Sequence, residues 1–365
     1  MVGLPDELSD NPTGNLRRET RKEHTNITEC RPELTDQETK TDSVIRCVVV
    51  IDFVCTPHSR SSESQASIQS SYPSSFGLYP TNSYVMGSLP EKAQVTPAVT
   101  VSNPFRTRIL AGQISAVMSV KFMVGNEIAM MCRQAGISGM FVDMEHSTLD
   151  VGAVAQLILA CTYAGVSPIV RVPSKSPWHI SRVLDAGAAA VVVPHVESVA
   201  EVRALVRAAK YAPLGQRGCA NNQPLLNFRT VPTRVQNELL NAETMLIPMI
   251  ETPAAVDLVD ELLAVEGVDG ILIGSNDLCT DMGIPGQYDN PVYQDAVSKI
   301  VLAGKKARKP IGIGGIGGRQ DLLERWFSMG ATWSLSAGDG AILQAGMRKV
   351  AGEYDAINER VQKVR

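Results

Sequence analysis

The chain has 365 residues, a formal net charge of −4 and an apolar fraction of 44%. The length allows two domains and the apolar share is ample for a large core, while the charge offers no basic footprint for nucleic acid or an anionic membrane. Seven cysteines, with neither CxxC spacing nor small-domain density, argue for reduced thiols in a cytoplasmic setting rather than a disulfide framework.

Composition shifts sharply near residue 100. Up to Thr41 the chain is polar and charged, and from Pro57 to Thr100 it is rich in Ser, Pro and Tyr. Such segments bury too little apolar area to offset chain entropy, so residues 1–103 are expected to be a low-complexity, largely disordered extension. The apolar island Val44 to Cys55 is too short to span a bilayer and is broken by Asp52. It reads as a stray strand on the following domain or as a segment foreign to it. Asp6, Glu7 and Asp10 argue against a signal or mitochondrial transit peptide.

Residues 104–365 are regular. Short β-branched runs predict strands at 114–119, 139–143, 168–172, 190–194, 245–250, 270–274, 310–314 and 332–336, with helical periodicity between them. Ser176-Pro177 and Thr252-Pro253 read as helix starts with a first-turn proline, and Ser198 with Glu201 as a capping box. Eight strand–helix units over about 260 residues predict a (β/α)₈ TIM barrel, with an open doubly wound sheet as the other arrangement of the same period.

In such a barrel, chemistry belongs where strands open into loops. The second strand ends in Asp143-Met144-Glu145-His146, an imidazole suited to proton transfer near neutral pH beside carboxylates that can hold its tautomer. Arg171 closes the third strand, where a guanidinium needs an anion: either a substrate or a structural ion-pair partner. His195, after the fourth strand, reads as a rim or packing residue. Tyr211 to Ala220 is rich in turn residues and is expected to form a loop over the site.

Glu251 and Asp277 each follow a buried apolar run and point to the same end of the sheet. Two hard oxygen ligands with no Cys or His beside them suit a divalent cation, Mg²⁺ or Mn²⁺ with Co²⁺ also admissible, that keeps waters for a substrate. Gly312 to Gly317 matches GxGxxG but lies late in the chain, outside an N-terminal βαβ unit, and reads as a close-packed turn. No aromatic stripe suggests nucleic-acid stacking.

Five blocks together carry a resemblance: Val142-Asp143-Met144-Glu145-His146, Val170-Arg171-Val172-Pro173, Leu184-Asp185-Ala186-Gly187, Ile250-Glu251-Thr252 and Ile273-Gly274-Ser275-Asn276-Asp277-Leu278. Their order and spacing resemble the HpcH/HpaI aldolases, class II pyruvate aldolases that cleave 4-hydroxy-2-oxo acids. More distantly the chain is similar to macrophomate synthase. The resemblance implies a metal-dependent barrel assembled as a hexamer, with a terminal helix exchanged between subunits. It implies metal binding by Glu251 and Asp277, and substrate and enolate binding by Arg171. His146 would be the acid/base, supported by Asp143 and by Asp185 from a neighbouring subunit, with Ser275 and Asn276 at the substrate carboxylate. Met249 departs from the family's Gln, and Gly274-Ser275-Asn276-Asp277 replaces Gly-Pro-Ala-Asp, so substrate choice is more open than chemistry.

The expected activity is reversible aldol cleavage to pyruvate and an aldehyde. Oxaloacetate decarboxylation, or secondary metabolism through the same enolate, is the alternative. A non-catalytic 2-oxo-acid binding protein is a reading of another class. A citrate-lyase-like thioester lyase is weakened by the lack of a basic surface for CoA phosphates.

Overall fold

The computed structural model describes residues 99–365. The expectations for the N-terminal extension up to residue 98, including the Val44 to Cys55 island, lie outside the described residues. Within them the order is α1 (Pro104–Leu110), β1 (Ser115–Val120), α2 (Glu127–Gln134), β2 (Gly139–Asp143), α3 (Val151–Ala164), β3 (Ser167–Arg171), α4 (Pro177–Asp185), β4 (Ala190–Val193) and α5 (Val199–Ala209). There follow a short 3₁₀ turn, α6 (Thr233–Glu243), β5 (Met245–Ile250), α7 (Pro253–Asp257), α8 (Val259–Ala264), β6 (Ile271–Gly274) and α9 (Ser275–Asp281). The chain closes with α10 (Pro291–Ala307), β7 (Ile311–Gly314), α11 (Gln320–Met329), β8 (Trp333–Gly338) and α12 (Asp339–Val364).

The strands pair in parallel in sequence order, and β8 returns to β1, so the sheet is a closed barrel. The (β/α)₈ prediction holds and the open sheet is excluded. Because both faces of each strand are buried, alternation here separates barrel interior from helix layer. Val117, Phe141, Ile169, Val192, Ile247 and Leu272 fill the interior, while their neighbours Val142, Val170, Val191 and Ile273 pack under the helices.

The amino-terminal mouth is stoppered by α1. Asn103 caps it through Oδ1, which accepts from Arg106 N–H, and its amide donates to the carbonyls of Ala189 and Glu243. Phe105 meets Trp333 of β8 edge-on at 5.2 Å between ring centroids. Packing begins before residue 104, since Val99 and Val101 lie against the cluster of Ala189, Tyr211 and Leu225.

Two helix starts follow the expected capping: Thr252 accepts from Ala255 N–H and Ser198 from Glu201 N–H. On the reciprocal side of the box Glu201 accepts from Glu197 N–H at 2.8 Å. Ser176 starts α4 without a side-chain cap, leaving the first-turn proline as the signal.

The glycine run at β7 is a packing feature. A Cβ on Gly312 would lie 2.1 Å from Trp333 Cε2, so β7 approaches the barrel-filling indole only because the side chain is absent. Gly312→Ala is expected to destabilise the protein by about 2 kcal/mol or more through overpacking, measurable by urea denaturation. Unchanged stability would mean that the indole can move aside.

The segment Tyr211 to Ala220 does not cover the carboxyl-end loops. It follows α5, which returns the chain to the amino-terminal end of the sheet, where Lys210 pairs with Asp269 at 2.8 Å and Arg217 with Asp185 at 2.7 Å. The turn-rich composition marked a loop correctly, but the helix before it sets the end of the barrel on which it lies.

Candidate active site

The inward parity that fills the barrel with apolar side chains delivers charge at its carboxyl end. Two residues beyond Phe141 comes Asp143, two beyond Ile169 comes Arg171, and two beyond Met249 comes Glu251. By the same step β1 delivers Lys121, two residues past Ser119.

Asp143 is fully buried and organises the β2 end. Its Oδ1 accepts from Arg171 Nε at 2.9 Å and from the backbone N–H groups of Glu145 and His146. Its Oδ2 accepts from Arg171 Nη2 at 2.6 Å and lies 3.2 Å from Lys121 Nζ. Burial alone would raise this carboxyl's pKa, but the Arg171 guanidinium outweighs burial and the net shift is downward. Arg171 also meets Glu145 Oε2 through Nη1 at 2.7 Å and lies over the Phe141 ring.

Glu251 is also buried, but differently held. Oε2 accepts the His195 N–H at 2.7 Å, whereas Oε1 is buried with no hydrogen-bond partner. Burial raises its pKa to about 6; the His195 contacts oppose this, and the charges of Glu145 and Asp277 add to it. Gly274 makes the space for this side chain, since a Cβ there would lie 2.6 Å from Glu251 Cγ and Oε1. Asp277, exposed in the first turn of α9, is near enough for its charge to act on Glu251.

A buried carboxylate with a free oxygen, raised pKa and a second carboxylate beside it fits a divalent cation that supplies the missing positive charge. Among the described residues no group of three or more His, Cys, Asp or Glu side chains is placed to hold a metal ion.

The other candidates fall in different places. His146 is exposed at the mouth; its Nε2 faces Glu145 Oε2 at 3.9 Å, and Asp143 reaches it through the backbone N–H instead of the ring. Ser275 turns outward, buried, and accepts from Tyr293 OH at 2.8 Å. Asn276 is exposed and accepts from Tyr288 OH. Asp185 ends α4 on the amino-terminal side, so within one chain it is at the opposite end of the barrel from His146.

Two residues at the site, Lys121 and His195, are not among the candidates read from the sequence, and Glu145, read there only as a carboxylate beside His146, also reaches Arg171. Lys121 and Glu145 touch Asp143 and Arg171. His195 is on the rim, yet its Nε2 lies 3.0 Å from Glu145 Oε1 and its Nδ1 3.4 Å from Glu251 Oε2. A positive φ of 54° at His195 turns the chain so that its N–H and ring both reach the acids.

Comparison with known proteins bears on this arrangement. A relative from Chaetomium globosum, a 4-hydroxy-4-methyl-2-oxoglutarate aldolase, is 33% identical over 61% of this chain and 83% of its own. The crystal structure of an HpcH/HpaI aldolase from Desulfitobacterium hafniense superposes with a TM-score of 0.63 at 29% identity, covering 68% of this chain and 95% of that one. Macrophomate synthase shares the fold, with a TM-score of 0.61 at 22% identity over 72% of this chain and 93% of its own. The family model for HpcH/HpaI aldolase/citrate lyase matches residues 119–315, more than half of the chain, from the end of β1 through β7. That span includes Asp143, Arg171, Glu251 and Asp277, and the chain belongs to the HpcH/HpaI aldolase/citrate lyase family.

Proposed function

We propose that the chain is a divalent-metal-dependent carbon–carbon lyase, a class II aldolase that cleaves 4-hydroxy-2-oxo acids to pyruvate and a carbonyl compound, and runs the reverse addition. The observation that carries this reading is Glu251: a buried carboxylate with an unpartnered oxygen, near enough to Arg171 for its charge to act on the guanidinium. Glu251 and Asp277 would hold the cation, with Mg²⁺ and Mn²⁺ favoured by the all-oxygen pair. When bound, a divalent cation supplies Lewis acidity at the keto acid.

The chain's own groups do the rest. Arg171, fixed by Asp143 and Glu145, holds guanidinium N–H groups where negative charge grows on the enolate oxygen. His146, at the open rim, takes the proton of the 4-hydroxyl directly or through water as the bond between C3 and C4 breaks. Asn276 lends a donor to the substrate carboxylate.

Neighbouring copies fit the same reading. On α12, Leu343, Met347, Val350, Tyr354, Ile357 and Val361 alternate at spacings of four and three, and all are exposed. That is the pattern of a helix seam, about 27 Å long, awaiting another helix. We take the assembly to be a homo-oligomer, a hexamer as in the family, in which Asp185 reaches a neighbour's His146. No helix among the described residues is long and apolar enough to cross a membrane. The unpaired thiols Cys132, Cys161, Cys219 and Cys279 support a cytoplasmic setting.

Metal-dependent exchange of the pyruvate C3 protons, followed by NMR in D₂O, tests the reading, and a protein that exchanges none with Mg²⁺, Mn²⁺ or Co²⁺ refutes it. His146→Ala is expected to lower aldol cleavage about 100-fold or more while oxaloacetate decarboxylation, which needs no proton from a 4-hydroxyl, falls far less. Equal loss of both activities would remove His146 from its role.

A further inference from the structure

Three charges stand in a row at the carboxyl ends of adjacent strands. The β1–β2 register pairs Ser119 with Phe141 and Val120 with Val142, so one step further it brings Lys121 beside Asp143, which in turn pairs with Arg171 of β3. Opposite charges on neighbouring strands attract, and here one carboxylate lies between two cations. The mechanism above uses Arg171 and leaves Lys121 without a role.

The two oxygens of Asp143 are held differently. Oδ1 accepts from the backbone N–H groups of Glu145 and His146 as well as from Arg171 Nε. Oδ2 meets side chains alone, Arg171 Nη2 at 2.6 Å and Lys121 Nζ at 3.2 Å. An ammonium on a flexible stem can swing into water, and the Lys121 side chain is one-third exposed, so its place has to come from the backbone.

Asp339, buried at the start of α12, supplies that anchor. Its Oδ2 accepts from the backbone N–H groups of Lys121, Phe122 and Met123 at 3.0, 2.8 and 2.9 Å, and its Oδ1 from Gly340 N–H at 2.8 Å. The Phe122 ring closes on the same turn of helix, since a Cβ on Gly340 would lie 2.9 Å from Phe122 Cε2. The β1 loop is clasped to α12, and the lysine is carried with it.

We propose that Lys121 is a positioning residue that holds Asp143, and through it Arg171, and that Asp339 fixes Lys121 by clasping the β1 loop. The inference rests on the aldolase reading, in which Arg171 meets the growing charge of the enolate. As the guanidinium shares its donors with that charge, Lys121 remains as the cation on Asp143 Oδ2 and keeps the carboxylate from following. Lys121 and Asp339 both act through Arg171.

The test uses the full chain with Mn²⁺ and pyruvate, reading exchange of the C3 protons in D₂O. Lys121→Met is expected to lower the maximal exchange rate about 10-fold while the half-saturating pyruvate concentration stays within about 3-fold, because a displaced guanidinium is felt mainly where the enolate forms. Lys121→Arg should recover most of the loss. Asp339→Asn offers one acceptor oxygen where the carboxylate offers two, and should lose about as much alone but less than about 2-fold more when added to Lys121→Met. Losses that multiply, or an undiminished rate in Lys121→Met, overturn the proposal.

Two readouts need no metal. The urea midpoint at pH 7 should fall in Lys121→Met but not when Asp143→Asn is already present, and equal falls in both backgrounds overturn the pairing. In the wild type, the amides of Lys121, Phe122 and Met123 should resist hydrogen exchange as strand amides do, and rapid exchange there removes the clasp even if Asp339→Asn fails to fold. A wild type that exchanges no pyruvate protons refutes the aldolase reading, whereas exchange that Lys121→Met leaves untouched refutes this inference alone.

Discussion

Glutamine in place of Glu251 is expected to abolish metal-dependent pyruvate exchange, by about 1,000-fold or more, and at the same time to stabilise the metal-free protein at pH 8. The first effect follows from removing one of two carboxylates available to the cation, read by calorimetric titration with Mn²⁺ alongside exchange. The second follows from burial. Glu251 titrates near 6, above the ordinary 4.5. A carboxyl raised on folding contributes stability that is fully present below its unfolded value and lost as pH rises through the folded one. The window here is pH 4.5 to 6, and the loss above it amounts to about 2 kcal/mol. Glu251→Gln keeps the shape without the charge, so its metal-free stability should lack that slope. In the wild type, cation affinity should rise with pH up to about 6, because below that value the ion must displace a proton. A variant that binds Mn²⁺ as tightly as wild type, or that shows the same slope, would separate Glu251 from the metal site.

The barrel was legible because parallel strands buried on both faces read as short β-branched runs, and every predicted strand overlaps an observed one with ends shifted by at most two residues. The candidate site was legible where parity alone brings side chains together: Asp143, Arg171 and Glu251 each continue an inward row. Lys121 was missed for the same reason. The first strand was read as ending at Ser119, whereas the row continues past Val120 into a loop fixed by Asp339, more than two hundred residues away in sequence. His195 was read as rim because its turn toward Glu145 and Glu251 depends on a left-handed backbone conformation that no side-chain pattern reveals. Tyr211 to Ala220 was assigned to the wrong mouth, since turn residues announce a loop but not the end of the barrel to which the preceding helix returns it.

Arg171→Met should be the most damaging single change, in activity and in fold. Three guanidinium nitrogens face Asp143 and Glu145 at 2.6 to 2.9 Å. Removing the cation from two carboxylates, one of them fully buried, is expected to cost about 3–5 kcal/mol, and loss of the donor facing the enolate at least 100-fold in kcat. The pH dependence distinguishes this from simple cavity formation. In the wild type Asp143 is depressed, so its contribution is present above the unfolded pKa and is lost as pH falls through the folded one. Without Arg171 burial prevails and the pKa rises, so the variant should be weakest at neutral pH and recover toward pH 4. Asp143→Asn in the Arg171→Met background should restore most of the stability and none of the activity, because it neutralises the stranded charge without returning a guanidinium to the enolate. A double variant that regains turnover would show that Arg171 serves only to neutralise Asp143, and would require another group to meet the developing negative charge.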